Sequence, residues 1–206
     1  NEYLVIWSGT DNRYMLADDE EEVFGQRLTA SAQPTGSSDF RISRMGPALN
    51  TDYSAGGPAV VHDAIDNSYL VTWYGDDDEG ALRRFEEEIY GRRYNGSADP
   101  IYSAFRISFT AADGNALQDA YDPAVAFNTV NPSFLVAWEA DHFLDGATEI
   151  YGAILDAASG VANDSDVPLA ITPNVSAAYP NPFTTAVHVD VVVDHPQTLR
   201  ISMIDM

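Results

Sequence analysis

The sequence of 206 residues predicts an all-β protein made of tandem antiparallel sheets, arranged either as propeller blades or as a stacked array. Three observations predict this fold class. Similar blocks recur about every 65 residues, the blocks are short and rich in β-branched and aromatic residues, and no segment has the period of an amphipathic helix. Clusters of turn-forming residues, such as QPTG at 33–36, separate the blocks.

Four kinds of block recur in a fixed order, and each is predicted to form a strand. The first reads NEYLVIW from residue 1, NSYLVTW from 67 and NPSFLVAW from 131, which puts its Trp at 7, 73 and 138. The second reads EEVFGQRL from 21, EEIYGRRY from 87 and TEIYGAIL from 148. The third reads FRIS at 40 and 105 and, more loosely, LAIT at 169. The fourth reads GPAVVHD at 57 and DPAVAFN at 122, with no third copy.

The blocks divide the chain into four parts. Residues 1–66 are predicted to be the first repeat, 67–130 the second, 131–173 a partial third, and 174–206 a short C-terminal β tail. Each full repeat holds about four strands and therefore corresponds to one antiparallel sheet. Three sheets are fewer than the roughly four to eight blades of a closed propeller. Further repeats, several chains or linear stacking would have to complete the array.

The order YLVxW, acidic loop, EIYGxR, FRIS and PAV, over residues 1 to about 172, resembles repeats of large secreted bacterial surface proteins, which are often propeller-like. The resemblance implies a β-repeat architecture outside the cell, and its motifs mark the fold rather than an activity. The Trp and Tyr residues of these motifs are expected to pack between sheets.

A different segment begins after Pro173. Here YPNPF at 179–183 precedes two predicted strands, 186–193 and 198–204. This pattern looks like part of the C-terminal sorting domain of the type IX secretion system of Bacteroidetes-related bacteria. The resemblance implies export across the outer membrane to the cell surface or the medium. Because two strands do not fold alone, the tail is expected to pair with an edge of its own last repeat or of a neighbouring molecule.

The charge excludes several classes of partner. The chain carries 32 acidic and ten basic residues, for a net charge of −22, and all ten basic residues are Arg. Nucleic acids and anionic membrane surfaces require clustered basic side chains, so neither is expected as a partner. The absence of Cys excludes disulfides and thiolate metal sites. Apolar stretches stay under about ten residues, whereas a membrane-spanning helix needs roughly 20.

The negative charge is concentrated in one recurring loop. Seventeen of the 32 acids lie in the loops that follow the first block of the three repeats, counting the acids that open the second block. Carboxylates at about 4 Å repel one another by several kcal/mol per pair, so Arg, protons or a hard cation must neutralise them. Arg13 lies in the first loop and Arg83 and Arg84 in the second, but the third loop has no Arg. Calcium fits best, because it accepts about six to eight oxygens in irregular geometry and is abundant outside cells.

Two acidic positions recur. One lies about four residues after the Trp of the first block, and the other lies just before the aliphatic–aromatic–Gly triplet of the second block. They predict Ca²⁺ ligands at Asp11, Glu22, Asp77, Glu88, Asp141 and Glu149, with neighbouring acids and carbonyl oxygens completing the shell. No loop has the spacing of an EF-hand. A solvated acidic surface without bound metal is the alternative interpretation.

The sequence contains no catalytic signature such as G-x-S-x-G, H-E-x-x-H or a phosphate-binding loop, and the chain is therefore predicted not to be an enzyme. The predicted function is that of an extracellular structural or adhesive β-repeat protein, stabilised by calcium and assembled into a surface filament or matrix. Strand addition or calcium bridging would link the subunits, and a surface polysaccharide is a further candidate partner. The alternative is a propeller module of a larger secreted enzyme or carbohydrate-binding protein.

Overall fold

The computed structural model describes residues 2–77, 82–110, 113–140 and 148–157, together with the short segments 174–175 and 191–192. Two compact units divide the chain, Asn1–Ala170 and Ile171–Met206. The described residues are almost entirely strands and turns, with one short 3-10 helix at Asn12–Tyr14. The predicted all-β fold class is confirmed. Among these residues no helix is long and apolar enough to cross a membrane.

The described residues of the first unit form three antiparallel sheets, each a simple up-and-down arrangement of consecutive strands. The first sheet consists of β1 (Glu2–Gly9), β2 (Glu22–Thr29) and β3 (Pro34–Arg41). The second sheet consists of β4 (Ala55–Asp63), β5 (Ser68–Gly75), β6 (Glu88–Asn95) and β7 (Phe105–Arg106). The third sheet consists of β8 (Ala120–Asn128), β9 (Ser133–Ala140) and β10 (Glu149–Asp156).

The sheets share the period of the sequence repeat but not its predicted phase. The fourth block forms β4 and β8, which begin the second and third sheets. The complete sheet therefore spans Ala55–Arg106, across the boundary between the predicted repeats 1–66 and 67–130. A sequence repeat can be divided at any position of its period, whereas the hydrogen bonds between strands determine which strand begins each sheet.

The repeat extends to details of the backbone. Gly57 and Asp122 hold the same position before a Pro, and both have a positive φ, 53° and 48°. At each of them the register shifts, between β4 and β5 and between β8 and β9 respectively, as in a β-bulge. Glycine suits this conformation, and aspartate is among the few other residues that tolerate it. Each sheet that starts with the fourth block thus begins with the same bend.

The two faces of each sheet differ. We name them the Trp face and the Leu face, after Trp73 and Leu70 of the second sheet. The Trp face carries Tyr3, Val5 and Trp7 in the first sheet, Tyr69, Val71 and Trp73 in the second, and Phe134, Val136 and Trp138 in the third. The Leu face carries Leu4, Ile6 and Val23 in the first sheet, Leu70, Ile89 and Arg93 in the second, and Leu135, Ile150 and Ile154 in the third. Side chains alternate between faces along each strand, and residues paired across strands share a face.

The core consists of two clusters, one between each pair of consecutive sheets. In one cluster Leu4, Ile6, Val23 and Ile42 of the first sheet pack on Val71, Trp73, Tyr90 and Tyr94 of the second. In the other, Leu70, Ile89 and Ile107 of the second sheet pack on Phe134, Val136 and Trp138 of the third. Each interface therefore joins the Leu face of one sheet to the Trp face of the next.

Gly91 lies at the centre of the Leu face of the second sheet. A Cβ atom at this position would lie 2.8 Å from Cδ1 of Ile107 and 3.3 Å from the ring of Phe105. Glycine lets these two side chains fold back over β6 and join the core between the sheets. The same close approach occurs at Gly25, where a Cβ atom would lie 3.0 Å from Ile42 and from Phe40.

The second unit, taken by itself, shows β11 (Asn174–Val175) paired antiparallel with β12 (Val191–Val192). β12 falls within the predicted strand 186–193. The YPNPF motif at 179–183 and the predicted strand 198–204 lie outside the described residues.

Candidate functional site

The recurring Glu of the acidic loops is buried at the start of a strand. Glu22 is fully buried where β2 begins. Its carboxylate accepts hydrogen bonds from the Arg41 guanidinium, the Ser43 hydroxyl and, at 2.8 Å, the Met45 amide. The Ser43 hydroxyl oxygen in turn accepts the amide N–H of Val23 at 2.7 Å. Arg41 and Ser43 belong to the FRIS block, so this block neutralises the buried Glu.

The second repeat has the same arrangement. Glu88 is fully buried where β6 begins, and it accepts hydrogen bonds from the Arg106 guanidinium, the Ser108 hydroxyl and, at 3.0 Å, the Thr110 amide. The Ser108 oxygen accepts the amide N–H of Ile89 at 2.7 Å. Both Glu–Arg–Ser networks lie inside the fold. Their signal in the sequence is the joint recurrence of Glu and FRIS, whose Arg follows the Glu by 19 residues in one repeat and by 18 in the other.

Burial raises the pKa of both glutamates, and their Ser and Arg partners oppose that rise. All four oxygens of Glu22 and Glu88 accept hydrogen bonds from protein groups. A buried carboxylate with an adjacent guanidinium and a full set of donors is compensated without a metal. Calcium at these two predicted ligands would have to compete with Arg41 and Arg106.

Asp11 has a different set of partners at the surface. It caps the 3-10 helix, where one of its oxygens accepts the Arg13 amide N–H at 2.8 Å. The Arg13 guanidinium binds Asp11 and reaches Asp39 at 2.6 Å. Hydrogen bonds from Arg13 lower the pKa of Asp11. The two predicted ligands of the first loop therefore have separate partners, Asp11 an arginine at the surface and Glu22 an arginine in the core.

The other three predicted ligands differ from these. Asp77 is largely buried just beyond β5, and Asp141 lies outside the described residues. Glu149 opens β10 and is half-buried, and its Oε2 atom is buried without a hydrogen-bond partner among the described residues. In the sequence, Ala170 of LAIT occupies the position of Arg41 and Arg106. The third copy of the Glu thus lacks the arginine that neutralises the first two.

A second recurring Glu closes the acidic loop. Glu20 and Glu86 are fully buried, and each accepts the backbone N–H of the residue three positions earlier, at 2.9 and 3.0 Å. Glu86 also accepts the amide of Gly114 at 2.9 Å. Much of the loop charge therefore faces inward and holds backbone turns. Counting acids along the sequence does not separate these carboxylates from solvated ones.

A cluster of three acids lies where the second sheet meets the third. Asp76 accepts the amides of Ser54 and Phe85, both at 2.8 Å, and Asp119 accepts the amide of Glu87 at 3.1 Å. One carboxylate oxygen of Glu87 is buried without a hydrogen-bond partner among the described residues. Burial, together with the charges of Asp76 and Asp119, raises the pKa of Glu87 to about 8.

This cluster is not among the predicted ligands, because Asp119 lies outside the acidic loop. A backbone hydrogen bond places Asp119 beside Glu87, since the amide of the next residue, Ala120, donates to the carbonyl of Glu87 at 2.9 Å. The corresponding positions of the first repeat hold Thr10, Glu21 and Ser54, so only one junction carries three acids. In the part of the chain that the structure describes, no three His, Asp or Glu side chains are grouped so that they could hold a metal ion. The six calcium ligands stay a prediction.

A groove of about 1090 Å³ opens between the first and second sheets, at the end where β1 begins and β6 ends. The rings of Tyr3, His62 and Tyr69 line it, and the centroids of the His62 and Tyr69 rings lie 4.9 Å apart. Amides line it too, and Oδ1 of Asn67 accepts a hydrogen bond from Nε2 of the His62 ring at 3.1 Å. Its charged groups are paired, as Arg27 binds Glu2 and also donates to the Ser97 carbonyl at 3.1 Å. The groove is therefore nearly neutral in a strongly acidic molecule.

Neither protein-family models nor curated proteins give a match to this chain.

Proposed function

We propose that the chain is an extracellular structural or adhesive β-repeat protein that is stabilised by calcium and self-associates into a surface filament or matrix. The observation that supports this most is the construction of the first unit. Its sheets adhere through apolar faces, and the outer faces of the first and third sheets leave large hydrophobic side chains exposed. Exposed apolar faces of this kind mark sites of protein association.

The proposed extracellular location rests on a resemblance in the C-terminal sequence. The resemblance of YPNPF and the following strands to a type IX sorting domain supports export to the cell surface or the medium, and an extracellular location supplies calcium at millimolar levels. The tail supports a second route of association, by adding its strands to the edge of a neighbouring molecule.

Calcium has its strongest support in the third repeat. Glu149 keeps a buried oxygen without a hydrogen-bond donor among the described residues, and Ala170 replaces the arginine found in the other repeats. Asp141 is the other predicted ligand of that loop. A calcium ion would supply the positive charge that Arg41 and Arg106 supply elsewhere.

Adding calcium to the purified chain is expected to raise its melting temperature and promote assembly. At ten to a hundred times the dissociation constant, a bound ion adds about 1.4–2.7 kcal/mol to the free energy of unfolding. Thermal melts and negative-stain electron microscopy measure both effects. They are carried out in EDTA and in about 10 mM calcium, a concentration above the dissociation constants of extracellular calcium sites.

Glu149→Gln should abolish the calcium-dependent shift, whereas Glu21→Gln, at an exposed loop position, should retain it. A melting curve that calcium leaves unchanged, together with only discrete particles in the micrographs, would contradict the proposal.

The groove supports a second candidate function, the binding of a neutral oligosaccharide. Saccharides pack on aromatic rings and exchange hydrogen bonds with amides and paired charges, and His62, Tyr69, Asn67 and Arg27 offer these groups. We expect His62→Ala to weaken binding of soluble β-glucan and mannan oligosaccharides about tenfold in calorimetry. Tyr102→Ala, which removes an exposed ring elsewhere, serves as the control. Equal affinity of all three proteins would argue against this function.

A further inference from the structure

The two interfaces inside the molecule use the same pair of faces. The Trp face of the second sheet packs on the Leu face of the first, and the Trp face of the third packs on the Leu face of the second. Val71, Trp73, Leu70 and Ile89 are all 0% exposed in these interfaces. One type of contact, repeated in one direction, builds the whole stack.

Among the described residues the same pair of faces is exposed on the two outer sheets, the first and the third. On the Trp face of the first sheet Tyr3 and Val5 are 59% and 42% exposed. On the Leu face of the third sheet Ile150 and Ile154 are 76% and 60% exposed. These residues occupy the positions that are buried inside the molecule, so each end displays half of an interface that the chain already forms twice.

We propose that a second copy of the chain docks head-to-tail on the first, with the Leu face of its third sheet against the Trp face of the first sheet. A second copy would continue the stack, because both buried Trp faces among the described residues pack on the Leu face of the preceding sheet. This inference rests on the proposed self-associating function and supplies its interface.

The repeat also identifies residues that meet across the new interface. Inside the molecule the Arg93 guanidinium lies over the ring of Phe134, 5.2 Å from its centroid. The residues at the equivalent positions are Ile154 on the third sheet and Tyr3 on the first. A contact between two copies would therefore place an aliphatic side chain on an aromatic ring, and it would bury no unpaired charge at that point.

The geometry of this interface determines the kind of assembly. The two faces are different surfaces, so the contact is heterologous and does not close as a twofold dimer. Repetition of the contact yields a ring or an open filament. Because every copy carries a charge of −22, association should strengthen with salt or calcium, which screen repulsion between copies.

Single charges on the two faces test the proposal in the full chain. Val5→Glu changes the Trp face and Ile154→Glu the Leu face, while Val130→Glu, at a turn position that is 93% exposed, is the matched control. Sedimentation velocity over a concentration series in calcium measures association. We expect each face variant to associate at least about tenfold more weakly than wild type, and the control to associate like wild type.

Mixing the two face variants gives the sharpest result. Each variant retains the face that the other lacks, so an equimolar mixture should form a discrete dimer that neither variant forms alone. Tyr3→Glu and Ile150→Glu repeat the test at second exposed positions, and circular dichroism checks that all variants are folded.

Wild-type chains that stay monomeric at every concentration, with and without calcium, would overturn both this inference and the proposed function. Assembly that disappears in EDTA but tolerates all four face substitutions would overturn this inference alone. That result would leave the proposed function standing and direct attention to the tail or the acidic loops.

Discussion

Arg41→Leu is expected to lower the free energy of unfolding by about 3–5 kcal/mol, because it leaves the Glu22 carboxylate buried without a counter-charge. Arg41 is itself buried, and Glu22 is fully buried beside it. The Ser43 hydroxyl and the Met45 amide remain as donors, but neither carries a charge. Urea denaturation at pH 7 measures the loss.

The double variant Glu22→Gln/Arg41→Leu tests the cause. Removing both charges should recover part of the stability, since the remaining cost is imperfect hydrogen bonding rather than an isolated buried charge. Arg13→Leu is the matched control, because that arginine binds Asp11 and Asp39 at the surface and should contribute little. An Arg41 variant as stable as the Arg13 variant would show that Glu22 does not depend on its buried partner.

Glu87→Gln is expected to stabilise the protein at alkaline pH and to change little near pH 5. The folded-state pKa of Glu87, about 8, lies above its usual value of 4.5, so the folded chain holds a proton that the unfolded chain releases. The free energy of unfolding therefore falls as the pH rises from 4.5 to about 8. A shift of this size, reduced for the partial exposure of the side chain, predicts a gain of about 2–4 kcal/mol at pH 9.

Denaturation in EDTA at pH 5 and pH 9 measures this effect without competing cations. Glu21→Gln is the matched control, since Glu21 is exposed at the same position of the first repeat and has Thr10 and Ser54 where Glu87 has Asp76 and Asp119. A Glu87 variant whose advantage does not grow with pH would refute the proton-binding interpretation.

A calcium ion bound at the Glu87 cluster would displace the proton that Glu87 holds in the folded chain. If calcium stabilises wild type at pH 9 but not Glu87→Gln, the ion binds there, although Glu87 is not among the ligands predicted from the sequence. If both proteins respond equally, the ion binds elsewhere, and the third loop with Glu149 is the next site to test.

The strands themselves were predictable from the sequence because they follow local rules. The Trp at 7, 73 and 138 lie in β1, β5 and β9, and the three Gly-containing blocks form β2, β6 and β10. Alternation of apolar and polar residues and the choice of β-branched and aromatic side chains act within one strand, so a single repeat already reveals them. Recurrence at one period then strengthens each assignment.

The candidate site was predictable only in part. The acidic loops and their recurring Glu residues are visible in the sequence, but the arginines that pair with Glu22 and Glu88 are 19 and 18 residues away, in the FRIS block. A sequence shows charge and not burial, so Glu22 in the core and Asp11 at the surface look alike. Burial decides whether a carboxylate is held by Arg, keeps a proton or remains in water.

The sequence by itself determined the class of fold, the period of its repeat and the excess of negative charge. The tertiary structure decided which strand begins each sheet, which acids point inward, and that Asp119 joins Asp76 and Glu87 between two sheets. The physical reason is the distance along the sequence over which each interaction acts. Strand formation depends on neighbouring residues, whereas the neutralisation of a buried charge depends on atoms that only the packing of one sheet on another brings together.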